Sequence, residues 1–230
     1  MYDEKHGRYP NTKSRNPYTC GITGKTYTAD QVAKRVDHLS RAIGKRLGFS
    51  PAEGTEWDRV VALYSLNTVR FSKRPKALLP LLSAQISLTI FYSTAQIDYI
   101  PFTHAVHRLA GIVTPANAQY SALELEHQLR SSSAKAIFTC MPLLENALKA
   151  AKTAGIPEDR IFLLEVPGFE ASSKFTTVDQ LIEEGKKLPA PEPLKWVTGQ
   201  GGRQTAFLCY SSGTSGLPVR INSSSHLLYT

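Results

Sequence analysis

The sequence predicts an α/β protein with a mostly parallel sheet flanked by helices, and three observations carry this. Short apolar runs of strand length alternate with stretches whose apolar residues recur every three or four positions. Two capping boxes, Thr28-Ala-Asp-Gln31 and Ser121-Ala-Leu-Glu124, each open a helical stretch. A run of Ser, Thr and Gly from Ser211 to Gly216 follows directly on the last apolar run, Thr205-Ala-Phe-Leu-Cys-Tyr210.

Residues 1–20 are charged and turn-rich, with Pro10 and Pro17, and are expected to be a flexible N-terminus. Gly21-Ile-Thr-Gly-Lys-Thr-Tyr27 reads as a hairpin turn ahead of a helix. It ends in Gly-Lys-Thr like a P-loop, but its glycines are too close together for one, so a plain turn is preferred. After Thr28, residues Val32, Val36, Leu39, Ile43 and Leu47 follow at helical spacing until Gly48 stops the helix. Arg59 to Ser65 is a buried strand, and Leu66-Asn67-Thr68 should end it and cap a helix. Further on, 97–110 reads as helix, 111–115 as a short strand, and 121 to about 131 as helix. Residues 134–140 form a strand, 142 to about 153 a helix, 160–166 a strand and 177–187 a short helix. A Pro-rich connection, 189–193, leads to the last strand, 205–210. Ligand sites in such sheets lie at the carboxyl ends of the strands.

The 230 residues suffice for one large or two small domains, and 42% hydrophobic with 20% charged residues is ordinary for a soluble globular chain. The net charge of +8 invites a nucleic-acid partner. However, Arg70, Lys73, Arg74 and Lys76 sit in one acid-free segment and Arg220 in the tail, and no basic motif interleaved with aromatics supports RNA or DNA binding. Cys20, Cys140 and Cys209 have no metal-ligand spacing, and Cys140 and Cys209 are expected as buried apolar residues at strand ends. With no apolar N-terminal signal, the expected location is intracellular, cytoplasmic or peroxisomal. His104 and His107 share a helical face, but without a third ligand nearby they read as packed or solvated histidines.

The loop is where chemistry enters. Small side chains, free amides and hydroxyls suit the wrapping of a polyphosphate. Tyr210-Ser-Ser-Gly-Thr-Ser-Gly-Leu-Pro218 resembles the phosphate-binding signature of the adenylate-forming enzymes, among them acyl-CoA synthetases and 4-coumarate-CoA ligase-like enzymes. The family pattern continues with Lys or Arg, where Val219 stands here. The resemblance extends over about 21–68 and 97–218. It includes Val60-Ala-Leu-Tyr-Ser-Leu-Asn-Thr68 and His107-Arg-Leu-Ala-Gly-Ile-Val-Thr-Pro-Ala-Asn-Ala-Gln-Tyr120, and fungal members are the nearest in character.

The resemblance implies the N-terminal part of the adenylate-forming fold, covering 21–218. It also implies a parent enzyme that activates a carboxylic acid with ATP, giving an acyl-adenylate and pyrophosphate, and usually then transfers the acyl group to coenzyme A. Ser211, Ser212, Gly213, Thr214, Ser215 and Gly216 would bind the phosphates, with Mg²⁺ sharing the charge. No residue of this sequence is assigned as catalytic or as a metal ligand. The family's adenine-binding, acid-binding and hinge parts have no counterpart before Thr230, so a truncated, inactive ligase is expected. The alternatives are a non-catalytic nucleotide- or partner-binding fragment and a membrane-tethered protein.

Two stretches depart from the family. Residues 69–96 are Leu-, Ser- and Pro-rich, and without them Ser65-Leu-Asn-Thr68 runs into Ile97-Asp-Tyr as the family does. Asp98 then falls in a first helical turn, where its charge suits the dipole. The apolar part, 77–92, is shorter than the roughly 20 residues needed to span a bilayer, so membrane insertion is disfavoured. The segment starts with a Val codon, ends with a Gln codon and keeps frame, as a translated intron would. The tail 219–230 begins with the same Val-Arg pair and carries the same expectation.

Overall fold

The computed structural model describes residues 10, 13–20, 23–66, 97–195, 197–211 and 219–224. The chain enters through a short antiparallel hairpin, β1 (Tyr18–Thr19) with β2 (Thr26–Tyr27), so the Gly-Lys-Thr sequence leads into a strand pair and not into a helix. Helix α1 (Ala29–Leu47) starts at the Thr28 capping box. The Thr28 hydroxyl accepts the Gln31 amide at 3.2 Å, and the Gln31 side chain accepts the Thr28 amide at 2.9 Å. It ends at Gly48, whose φ of 68° is a left-handed conformation that glycine adopts without steric cost.

The remaining elements are β3 (Val60–Tyr64), α2 (Tyr99–Arg108), β4 (Ile112–Ala116), α3 (Ala122–Ser132), β5 (Ala136–Cys140), α4 (Leu144–Ala154), β6 (Ile161–Leu164), α5 (Val178–Gly185), α6 (Gln200–Arg203), β7 (Thr205–Ser211) and β8 (Val219–Ser224). Six strands form one sheet in the order β6-β5-β3-β4-β7-β8. All neighbours are parallel except β7 and β8.

Strand alternation divides the core into two layers. Val61, Leu63, Val113, Phe138 and Phe162 face α1, α2 and α5. Val60, Ala62, Tyr64, Ile112, Ile137 and Leu208 face α3 and α4. Both faces are therefore apolar, as a helix-covered parallel sheet requires. Phe138 packs between Phe102 and Phe162, with ring centroids 4.2 and 4.7 Å away. Helices α1 and α5 touch at Gly185, where a Cβ would lie 1.8 Å from the His38 carbonyl oxygen.

Two expectations need correction. Asp98 precedes the first residue of α2 and makes no side-chain cap hydrogen bond. Its carboxylate turns to Arg35, which donates from Nε at 2.7 Å and also reaches Asp179 at 2.5 Å, because a guanidinium in the interior gains more from two carboxylates than a helix end does from one. Cys140 is buried, but Cys209 is half-buried, since it sits inside β7 opposite the exposed Ile221 of β8. Residues 219–224, assigned above to an atypical tail, form a strand, because β7 offers them a backbone edge with which to pair. The segment 67–96 and residues 225–230 lie outside the described residues, while Leu66 and Ile97 at the segment's two ends both pack into apolar clusters.

Candidate nucleotide site at the carboxyl edge of the sheet

The parallel strands β3, β4, β5, β6 and β7 all end on one edge. The Ser/Thr/Gly loop leaves from that edge. Ser211 is the last residue of β7; it is exposed and is the registered partner of Val219. The hairpin β7–β8 thus clamps both ends of residues 212–218. Ser212, Gly213, Thr214, Ser215 and Gly216 lie outside the described residues, and of the predicted site only Ser211 is described.

The edge beside the loop is built from tyrosines and a turn. The Tyr64 hydroxyl donates to the Tyr120 carbonyl at 2.8 Å. Tyr120 is placed by a turn in which its amide donates to the Asn117 carbonyl at 2.9 Å, while Asn117 Oδ1 accepts the Gln119 amide at 3.0 Å. Tyr64, Tyr120 and Tyr210 belong to one apolar cluster, and the Tyr210 hydroxyl is buried without a partner among the described residues. Burial raises the Tyr64 and Tyr120 hydroxyls and the Cys140 thiol above their usual pKa values, so all three stay neutral at pH 7. The described part of this edge can therefore shape and dry a site but offers no ready base or nucleophile.

Strand β7 is held from both layers. His107 Nε2 meets the Ala206 carbonyl at 3.1 Å and its ring stands edge-on to Phe207. His107 is a packed histidine; burial takes its pKa down to about 4, against the smaller opposing effect of that hydrogen bond. Half-buried His104 is also lowered to about 4, by burial. Among the described residues no group of three His, Cys, Asp or Glu converges to hold a metal ion, and no helix is long and apolar enough to cross a membrane. The stretch 77–92 lies outside the described residues.

Sequence reading missed the other support of β7. Thr114 Oγ1 donates to the Leu208 carbonyl at 2.9 Å, and Gln128 Nε2 donates to Thr114 Oγ1 at 2.7 Å. A signal for it existed: Gln128 interrupts the apolar stripe that Leu125 and Leu129 define on α3.

An open, mostly parallel sheet with helices on both faces and a Ser/Thr/Gly loop at its carboxyl edge defines the class: an α/β domain whose functional loops gather at that edge. The chain belongs to the AMP-binding enzyme family, whose model matches residues 89–220, more than half of its length. The match opens inside the atypical segment 69–96 and closes on Arg220. An acyl-CoA ligase of Cordyceps militaris, cm3C, is 38% identical over 212 residues, covering 89% of this chain and 31% of that protein. An acyl-CoA ligase of Emericella nidulans, easD, is 35% identical, covering 90% of this chain and 33% of its own length. The chain spans about a third of the length of these relatives. Among solved structures, the anthranilate CoA ligase AuaEII in complex with anthranoyl-AMP matches with a TM-score of 0.61 at 18% identity, over 94% of this chain and 33% of that one. A benzoate CoA ligase from Burkholderia xenovorans matches with a TM-score of 0.57 at 17% identity, over 95% and 33%. At these identities the structural likeness shows the fold.

Proposed function

We propose that this chain supplies the phosphate-binding edge of a ligase that activates a carboxylic acid with ATP and passes the acyl group to coenzyme A. The observation that carries the reading is Ser211, exposed at the carboxyl end of β7 and paired with Val219, at the sheet edge where ligands bind in such folds. Ser211, Ser212, Thr214 and Ser215 would offer hydroxyls, and Gly213 and Gly216 close backbone approach, to the β- and γ-phosphates. A carboxylate is a poor electrophile, and adenylation gives it a good leaving group. Donors fixed on the departing pyrophosphate would stabilise the charge that develops there. Mg²⁺ would come with the phosphates and share their charge.

A second reading is that the chain alone binds nucleotide and does not form adenylate; no described residue is assigned a catalytic role. Residues 69–96 are proposed to be an addition to the domain. In support, the β4–α3 and β5–α4 connections are short, whereas β3 and α2 are separated by more than 30 residues, far beyond the roughly 2–6 usual in such units. Sequencing the transcript across codons 68–97 and 218–219 tests whether that segment and the tail are retained introns.

Calorimetry of the full chain with Mg-ATP, together with pyrophosphate release across a panel of acids, tests the function. Binding that Gly213→Val weakens at least tenfold, with an unchanged far-UV spectrum, supports the loop. No binding by the wild-type chain at millimolar ATP overturns it. Acid-dependent pyrophosphate release by the chain itself, with no second protein present, removes the second reading.

A further inference from the structure

Strand β7 is tied to β4 by side chains at the point where the backbone ladder stops, and we infer that Thr114 and Gln128 are positioning residues for the loop that β7 carries. The inference rests on the reading of that loop as the phosphate site. The registered pair between β4 and β7 is Val113↔Phe207. Two residues further on in a parallel register, Pro115 stands opposite Cys209, and the amide of residue 115 would be the donor to the Leu208 carbonyl. Proline has no such amide. Leu208 is buried, so its carbonyl needs another donor.

Thr114 supplies it through Oγ1 at 2.9 Å. The same hydroxyl accepts one Gln128 amide proton at 2.7 Å, and the second goes to the Pro115 carbonyl at 3.1 Å. The result is a directed chain from the α3 amide, through the β4 hydroxyl, to the β7 carbonyl. Both Thr114 and Gln128 are fully buried, and Gln128 Oε1 has no partner among the described residues, so this glutamine is present for its two donors. Leu208 lies three residues before Ser211, where the loop begins. A shift of β7 along β4 would therefore move the mouth of the loop against the Tyr64–Tyr120 edge.

Hydrogen exchange of the full chain, read by mass spectrometry, tests this alongside the ATP dissociation constant. In Thr114→Val, exchange over residues 205–224 is expected to rise about tenfold, the worth of one buried hydrogen bond, while β5 and β6 keep their wild-type rates. Gln128→Met gives a smaller rise in the same segment, and Thr114→Ser restores it. ATP affinity falls in the same order. If the wild-type chain binds no ATP, the phosphate-site reading falls, and the exchange pattern alone decides the positioning. Exchange that rises equally in all strands, or not at all, overturns the inference, as does unchanged ATP affinity in a variant whose hairpin exchanges faster. Should Thr114→Val not fold, Gln128→Met carries the same comparison.

Discussion

Acid should unfold this domain through its buried histidines, and His107 allows the effect to be sized. Its ring is buried between α2 and β7, and burial lowers its pKa from 6.5 to about 4. A base whose folded pKa is depressed binds fewer protons when folded than when unfolded. Its contribution to stability is therefore complete above pH 6.5 and is lost as pH falls from 6.5 towards 4. With each unit worth about 1.4 kcal/mol, the loss from His107 alone between pH 8 and pH 5 is about 2 kcal/mol. The control is His107→Gln, whose amide can still donate to the Ala206 carbonyl and cannot titrate. Urea midpoints are measured for both proteins at pH 8 and pH 5. Other titrating groups contribute to both, so the difference between them isolates the ring. The wild type should lose about 1 M more in midpoint than the variant, taking a slope of about 2 kcal/mol per molar. Equal losses in the two proteins would refute the account, and so would a greater loss in the variant.

Other perturbations test the packing and the ion network. Arg35→Met leaves Asp98 and Asp179 without their shared cation and should cost about 3 kcal/mol in urea unfolding. Asp98→Asn should cost clearly less, because burial already raises that carboxyl's pKa against the attraction of Arg35 and a neutral amide can still accept from the guanidinium; equal costs would contradict this. Gly185→Ala places a methyl on the His38 carbonyl and should destabilise by about 2 kcal/mol or more, read as a drop in melting temperature. Phe138→Ala opens a cavity between Phe102 and Phe162 and should cost about 4 kcal/mol by the same assay.

What was legible in the sequence was local. The boxes at Thr28 and Ser121 specify helix starts within four residues, and both are formed. Thr177-Val-Asp-Gln180 is a third box of the same type; it caps α5 and could have been read the same way. Strands β3, β5 and β6 were legible because both faces of a helix-covered parallel strand must be apolar, which leaves an unbroken run such as Val60-Val-Ala-Leu-Tyr64. Strand β8 was not. Val219-Arg-Ile-Asn-Ser-Ser224 lacks a strong strand pattern, and its structure comes from the backbone edge that β7 presents. Asp98 misled for a related reason: the helix dipole is a nearby influence, whereas Arg35 is 63 residues away in sequence.

The candidate site divides along the same line. Its loop stands out in the sequence by composition, with glycines and hydroxyls in consecutive positions, which is what the proposed phosphate role would use. Its supports could not, since each is one polar side chain answering one backbone group in another element. Pro115 shows how such a requirement arises. From sequence it marks the end of a strand, and in the fold it lies inside β4, which continues through Ala116. Its missing amide leaves a vacancy in the ladder that a hydroxyl one residue earlier fills, and that hydroxyl is in turn held by an amide on α3. A proline inside a parallel strand, a threonine beside it and a glutamine in an apolar helical stripe are each unremarkable alone. Together they specify one strand position, and that position sets where Ser211 meets the carboxyl edge.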